Sequence, residues 1–314
     1  MVILLPGDYH CVTSGLSASS RYSLGVSVEG RQLEAVKLTS PDGKVERPLL
    51  RPMVRVVANM EGEGSVSREM VIALVKYLVF NYGQVERVTK LLDSTEVHLV
   101  PSLNPDGFER VTRGNSRGVD LNSNFPKWTE VGLEKSALLR SREAEVAAVI
   151  NWTLENPFVL SLNLMDGDLG VSFPWADNFT RVWERSKVFR KSPGAEEPER
   201  MRQSPDEESF AALAKVFTSA HPLMKRGEDG CSTFRQEVVE EKAKEREVLP
   251  GSLHDFTYLF SNCLEVTAHL GCVKKPLASS LQVLNHILTQ FFILSYCVLK
   301  TLDDSNSPHY PWTG

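Results

Sequence analysis

The side chains best suited to chemistry are concentrated between Asn104 and Asn124, in the stretch NPDGFERVTRGNSRGVDLNSN. Amides and guanidinium groups at this density suit recognition of a carboxylate or of peptide backbone. A loop of about twenty residues inside a compact domain is usually functional or disordered, and a well hydrogen-bonded surface loop is the plain alternative. Other reactive constellations are missing from the sequence. None of the histidines (His10, His98, His221, His254, His269, His286, His309) falls in an H-x-x-E or H-x-x-H pair. The cysteines Cys11, Cys231, Cys263, Cys272 and Cys297 form no C-x-x-C zinc pattern. There is no G-x-S-x-G nucleophile elbow and no cysteine with a nearby histidine signature.

The order of the residues says more than their density. PSLNPDGFER followed by GVDLNSNFP resembles the substrate-binding loop of the zinc metallocarboxypeptidases. The resemblance is strongest to the regulatory (N/E-type) branch and, within it, to carboxypeptidase D-type domains. RYSLGVSVEGRQL, VANMEGEGSVSREM, PFVLSLNLMDGDLGVSFPWAD, SPDEESFAALAKVFTSAHPLM and LPGSLHDFTYLFSNCLEVTAHLGCVKKP also sit in family order, between Arg21 and Pro276. The resemblance implies an α/β fold, a three-layer α/β/α sandwich around a mixed, mostly parallel eight-stranded sheet. It also implies a carboxypeptidase-like domain over residues 21–302, a tail at 303–314, and a remnant of a preceding transthyretin-like module at 1–12. A frayed terminus is the alternative for that first segment. SGLSASS stands where the family carries a helix before RYSLG, so a fragment or a spliced form is expected.

The positions that the resemblance marks as catalytic are the ones that differ. Hydrolysis at zinc needs three protein ligands and one open position for water. The family's H-x-x-E pair falls on Glu61 and Gly64, and its third ligand, a histidine, on Met165. Gly64 has no side chain, and a thioether is a poor match to zinc. Glu61, Glu63 and Asp166 could gather as an all-oxygen site for a harder cation, or stand as solvated carboxylates at a loop rim. The family's general-base glutamate falls on His269, which without a metal-bound water has nothing prepared to deprotonate. A partly buried, hydrogen-bonded histidine is the alternative there. Among the substrate-binding positions, Arg113 and Asn122 match retained residues, whereas Ser123 replaces the arginine that grips the terminal carboxylate. The family's mobile tyrosine falls near Glu247, and the acidic residue selecting a basic C-terminus falls on Ala176, beside Asp177.

These residues need a rigid frame, and hydrophobic periodicity supplies one. Thr95, Val97 and Leu99 alternate with Glu96 and His98, the pattern of a half-buried strand. Val54–Asn59 reads as a short buried strand, Phe158–Leu164 and Cys263–Thr267 as two more. Val66, Met70, Ala73, Leu74, Tyr77 and Leu78 have helical spacing within Ser65–Tyr82. Shorter helices are expected around Val85–Leu92 and Phe210–Ala220, a longer one over Glu134–Asn156, and a closing helix over Leu277–Leu302. The charged stretches Lys187–Glu208 and Glu237–Glu247 read as solvated. Strands alternating with helices predict a sheet covered on both faces.

Composition narrows the function. A chain of 314 residues with net charge −5 carries no basic footprint for nucleic acid or anionic membrane. The apolar run Phe291–Leu299 is too short to span a bilayer, so no membrane insertion is expected. No signal peptide is visible in MVILLPGDYHC, although the resemblance implies the secretory pathway or an extracellular setting. Sequons at Asn151 and Asn178 decide nothing. The expected function is a catalytically inactive carboxypeptidase-like domain acting as a binding or structural module. It would have weak affinity for peptide or protein C-termini through Arg113 and Asn122, no resident cofactor, and a protein partner the sequence does not name. The alternative is a zinc metallocarboxypeptidase that removes C-terminal basic residues, and a truncated product without function is a third reading.

Overall fold

The computed structural model describes residues 19–40, 51–175, 204–221, 224 and 251–274, with the backbone alone of 2–5 and 9–13. The expected closing helix and both charged stretches lie wholly or mostly outside the described residues. Near the N-terminus, β1 (Val2–Leu5) and β2 (Tyr9–Thr13) pair antiparallel as a separate two-stranded sheet.

The main sheet is built from β3 (Ser19–Val26), β4 (Gln32–Leu38), β5 (Met53–Ala58), β6 (Glu96–Val100), β7 (Phe158–Met165), β8 (Asp168–Ser172) and β9 (Leu264–Gly271). Their order is β3-β4-β6-β5-β7-β9-β8, so seven strands of the expected eight lie among the described residues. The central strands β6, β5, β7 and β9 run parallel, and β3, β4 and β8 join them through antiparallel pairings. The parallel centre aligns the carboxyl ends of β5, β7 and β9 along one edge, the place where open α/β sheets present ligand sites.

Helices cover both faces. On one side α1 (Val66–Asn81), α2 (Glu86–Ser94) and α6 (Glu207–Ala220) bury Met70, Leu74, Leu78, Leu92, Phe210 and Phe217 against Val54, Val56, Leu162 and Val266. On the other, α5 (Ala144–Glu155) and α7 (Leu253–Ser261) pack Val149, Trp152, Leu253 and Phe256 against Val57, Val100 and Phe158. The short α3 (Pro105–Arg110) and α4 (Lys135–Leu138) lie in the connections. Local chemistry sets several ends. Ser252 accepts from the Asp255 amide at the start of α7, and Asn262 ends it in the left-handed conformation.

Two expectations need correction. The helix predicted over Glu134–Asn156 is interrupted, because Ser141 has φ +60° and breaks the run between α4 and α5. Arg142 then reaches back to the carbonyls of Leu138, Asn124 and Phe125. The half-buried reading of β6 also fails, since His98 is 3% exposed. The layer of α5 covers the face left to solvent in that reading. His98 Nδ1 pairs with the Tyr22 hydroxyl at 2.5 Å and Nε2 with Glu96 at 2.8 Å, while its ring meets Phe158 edge-on. Two-sided burial is the rule for parallel strands, and both ring nitrogens of His98 are satisfied internally.

The same rule explains Arg55, fully buried in mid-sheet on β5. Its guanidinium donates to Ser161 Oγ (2.8 Å), Thr153 Oγ1 (2.5 Å), Thr257 Oγ1 (2.8 Å) and Glu265 Oε2 (3.0 Å), drawing β5, β7, β9, α5 and α7 together. It also lies over the rings of Trp152 and Phe158. Removing one partner strands a buried charge, which typically costs about 3–5 kcal/mol. Arg55→Met is therefore expected to lose stability on that scale in urea titration, and Arg55→Met with Glu265→Leu to recover part of it. A loss below about 1 kcal/mol in the single variant would show the pair to be dispensable.

Candidate functional site

The segment after β5 turns sharply to enter α1. Asn59 adopts φ +54°, and its side-chain amide donates to the carbonyls of Glu61 (3.1 Å), Gly62 (3.3 Å) and Gly64 (2.5 Å). Ser102 holds the other side of that amide at 2.6 Å. Gly62 has to be glycine, since a Cβ there would come within 2.2 Å of the Gly107 carbonyl carbon. Its amide donates to the Arg113 carbonyl at 3.1 Å, and Asn104 reaches both Met60 and Arg113 carbonyls. The residue 104–124 stretch is thereby clamped onto the 59–65 loop.

This clamp delivers the candidate residues to the carboxyl edge of the sheet. The Glu61 carboxylate is buried, 8% exposed, and both its oxygens are taken by cations. Arg113 Nη2 lies 3.1 Å from Oε1 and Lys274 Nζ 3.0 Å from Oε2. Lys274 also pairs with Glu63, and Arg113 with Asp120 at 3.1 Å. The result is a chain of alternating charge, Glu63–Lys274–Glu61–Arg113–Asp120. Neither oxygen ligation of a harder cation nor three solvated carboxylates describes it. Asp166 lies beside this row and hydrogen-bonds at the start of α1. It accepts from the Ser67 amide at 2.9 Å and the Ser67 hydroxyl at 2.8 Å. Its carboxylate fills the room beside Gly64, where a Cβ would lie 2.2 Å from Oδ2.

Met165 ends β7 directly opposite His269 on β9. Its sulfur is 4.0 Å from Asn122 Nδ2, while Asn122 Oδ1 accepts from the Leu253 amide at 3.1 Å. Loss of water around the His269 ring, with His254 nearby, pulls its pKa down to about 4. His269 is half-buried on β9. At neutral pH it is an uncharged imidazole and a weak base. Ser123 turns its hydroxyl onto the Asp120 carbonyl at 2.9 Å. Arg113, with its side chain 57% exposed, keeps a face toward solvent. Ala176, Asp177 and Glu247 lie outside the described residues.

A zinc ion does not fit this donor set. Glu61 offers no free oxygen, Gly64 offers nothing, Met165 offers a thioether, and two fixed cations already flank the one carboxylate available. Among the described residues no three His, Cys, Asp or Glu side chains converge as a metal site. Sequence reasoning missed Lys274, Asn59, Asp120 and Ser67. Only Asp120 and Asn59 left a local trace, as polar residues at turns. Lys274 meets Glu61 across 213 residues of sequence, a pairing that no local pattern announces.

Asp166 generates a test. Loss of water pushes its carboxyl up to about 6, against the lowering hydrogen bonds of Ser67 and helped by the Glu61 charge. An acid whose folded pKa exceeds its unfolded value of about 3.9 favours folding most below that value. The advantage is lost as pH rises through the folded value. The Asp166→Asn variant, measured beside the native chain from pH 4 to pH 7.5, should gain on it by roughly 2–3 kcal/mol as pH rises. Parallel curves would mean that the carboxyl titrates normally.

Comparison with known proteins matches this architecture. The sequence profile of the zinc carboxypeptidase family covers residues 14–296. Human carboxypeptidase D is 36% identical over 309 residues, covering 86% of this chain and 21% of that protein. Drosophila melanogaster carboxypeptidase D is 34% identical over 284 residues, covering 84% and 19%. Human carboxypeptidase Z is 33% identical over 297 residues, covering 84% and 42%. The chain thus spans about a fifth of the carboxypeptidase D relatives and about two fifths of carboxypeptidase Z. Among solved structures, thrombin activatable fibrinolysis inhibitor superposes with TM-score 0.62 at 17% identity, over 89% of this chain and 69% of that one. Carboxypeptidase A from Helicoverpa armigera does so with TM-score 0.62 at 14% identity, over 93% and 70%. With a profile match over most of its length and a sheet of the same architecture, this chain belongs to the zinc carboxypeptidase family.

Proposed function

We propose that this chain is a catalytically inactive carboxypeptidase-like domain that serves as a binding or structural module. The observation that carries the reading is the Glu61 carboxylate, which stands at a family ligand position and is spent on Lys274 and Arg113. Activation of water would need a metal, a base, or both. Neither Gly64 nor Met165 supplies a nitrogen or oxygen donor, and His269, held near 4, is a poor match to proton abstraction at neutral pH.

Recognition of a peptide C-terminus is reduced rather than abolished. The Arg113 side chain retains exposed surface, and among the described residues Asn122 Nδ2 faces the Met165 thioether. Both could donate to a carboxylate, whereas Ser123 has no charge to offer. Since a charge-assisted hydrogen bond contributes about 1.5–3 kcal/mol, losing a bidentate arginine leaves weak capture. The secretory or extracellular setting is supported by Cys272, which is disulfide-bonded, because such bonds persist in oxidising compartments. Among the described residues no helix is long and apolar enough to cross a membrane.

The second reading, a working metallocarboxypeptidase, draws on the names of the relatives, carboxypeptidases D and Z. Purified chain incubated with zinc and peptides ending in Arg or Lys separates the two. No product above the buffer control is expected, with or without chelator. Peptides with a free C-terminus should bind more tightly than their amidated forms, and Arg113→Ala should erase roughly tenfold of that difference. Chelator-sensitive turnover would replace this reading with the enzymatic one.

A further inference from the structure

We infer that the Lys274 ammonium is the resident cation of this pocket, held by Glu61 and Glu63 in place of a metal, and that the surrounding loops are shaped to keep it there. The inference rests on the reading of the pocket as non-catalytic and adds what fills it.

Three independent features converge on the lysine. Its ammonium bridges two carboxylates from the loop that precedes α1, at 3.0 Å from Glu61 Oε2 and in direct contact with Glu63 Oε1. Its backbone is tied to the same loop, since the Lys274 carbonyl accepts from the Ser65 amide at 3.3 Å and the Ser65 hydroxyl at 3.1 Å. Its aliphatic stem crosses Gly167, where a Cβ would meet Lys274 Cε at 2.3 Å and Cγ at 3.1 Å. Gly167 has φ +88°, and its amide donates to the Gly271 carbonyl at 2.9 Å, which fixes the path of the segment leading to Lys274. Among the described residues, the charged groups of this cluster are Glu61, Glu63, Asp166, Asp168 and Asp120, with Lys274 and Arg113 as the cations that offset them. A divalent ion would have to displace the Lys274 ammonium, which would leave its carboxylate partners for solvent.

The chemistry expected of such a cation differs from that of zinc. An ammonium donates hydrogen bonds but has no open coordination position, so it neutralises carboxylates without activating water. It is also covalently tethered, so chelators have nothing to remove.

The native chain, Lys274→Met, and Lys274→Met combined with Glu61→Gln test this. Melting temperatures would be recorded in EDTA, zinc chloride and calcium chloride, with zinc binding followed calorimetrically. The native melt should be the same in EDTA and in micromolar zinc. Lys274→Met should melt at least about 5 °C lower and regain part of the loss in millimolar calcium. The double variant, with the stranded charge removed, should melt above Lys274→Met and lose the calcium response. Should the single variant fail to fold, recovery of a cooperative melt in the double variant carries the same conclusion. Equal melts for native and Lys274→Met, or stoichiometric zinc binding by the native chain, would overturn the inference. The peptidase assay stays separate: an inactive chain with an unimportant Lys274 sinks this inference alone, and zinc-dependent turnover sinks the underlying reading.

Discussion

A carboxylate buried at the end of a central parallel strand must be neutralised, and the pocket is organised around how Glu61 meets that demand. Ionised groups out of water are tolerated only when paired and hydrogen-bonded. Arg113 comes from the long polar loop and Lys274 from beyond β9, so the two cations draw distant parts of the chain onto one side chain. Each cation in turn holds a second carboxylate, Asp120 or Glu63, and the charge alternates along the row. The row ties together three segments, the loop before α1, the long polar loop and the stretch after β9.

Behind this edge the sheet is secured by a different pair. Arg55 and Glu265 sit within the β5-β7-β9 pairing, on strands held by regular parallel register and by apolar contacts to both helical layers. Met165 and His269 enter only as the last backbone pair of the β7-β9 ladder, and Glu61 and Gly64 lie beyond the end of β5. The frame is therefore held by backbone pairing and apolar packing, not by the side chains at those positions. What the pocket does require of the frame is a fixed carboxyl edge, and the Asn59 amide supplies it by tying three loop carbonyls beside the strand end.

The parts of this architecture that were legible in sequence are those governed by period and by turn chemistry. The spacing of Val66, Met70, Leu74 and Leu78 announces α1 within a residue at each end. Asn104 followed by Pro105 is a helix start in sequence, and Asn104 does cap the short α3 that follows β6. His98 misled because a polar residue on an alternating strand looks exposed until a second helical layer is known to cover it. Ser141 misled because nothing in its type requires a positive φ. At the site, the types and positions of Glu61, Gly64, Met165 and His269 were readable, but their electrostatic partners were not. Lys274 sits in a GCVKKP run that has no local reason to be functional, and its role exists only once β9 delivers it across the sheet edge.

On the proposed reading, the residues at the family's ligand positions are interlocked with their neighbours. A glutamate side chain at position 64 would enter the space of the Asp166 carboxylate, 2.2 Å from where its Cβ would stand. Moving Asp166 would break its hydrogen bonds to Ser67 at the first turn of α1. A histidine at position 61 would leave Lys274 with Glu63 alone and release Arg113 toward Asp120. Side chains at 167 would collide with the lysine stem. A single change at 61, 64 or 167 therefore meets a group that occupies the room or balances the charge, so several residues would have to change together.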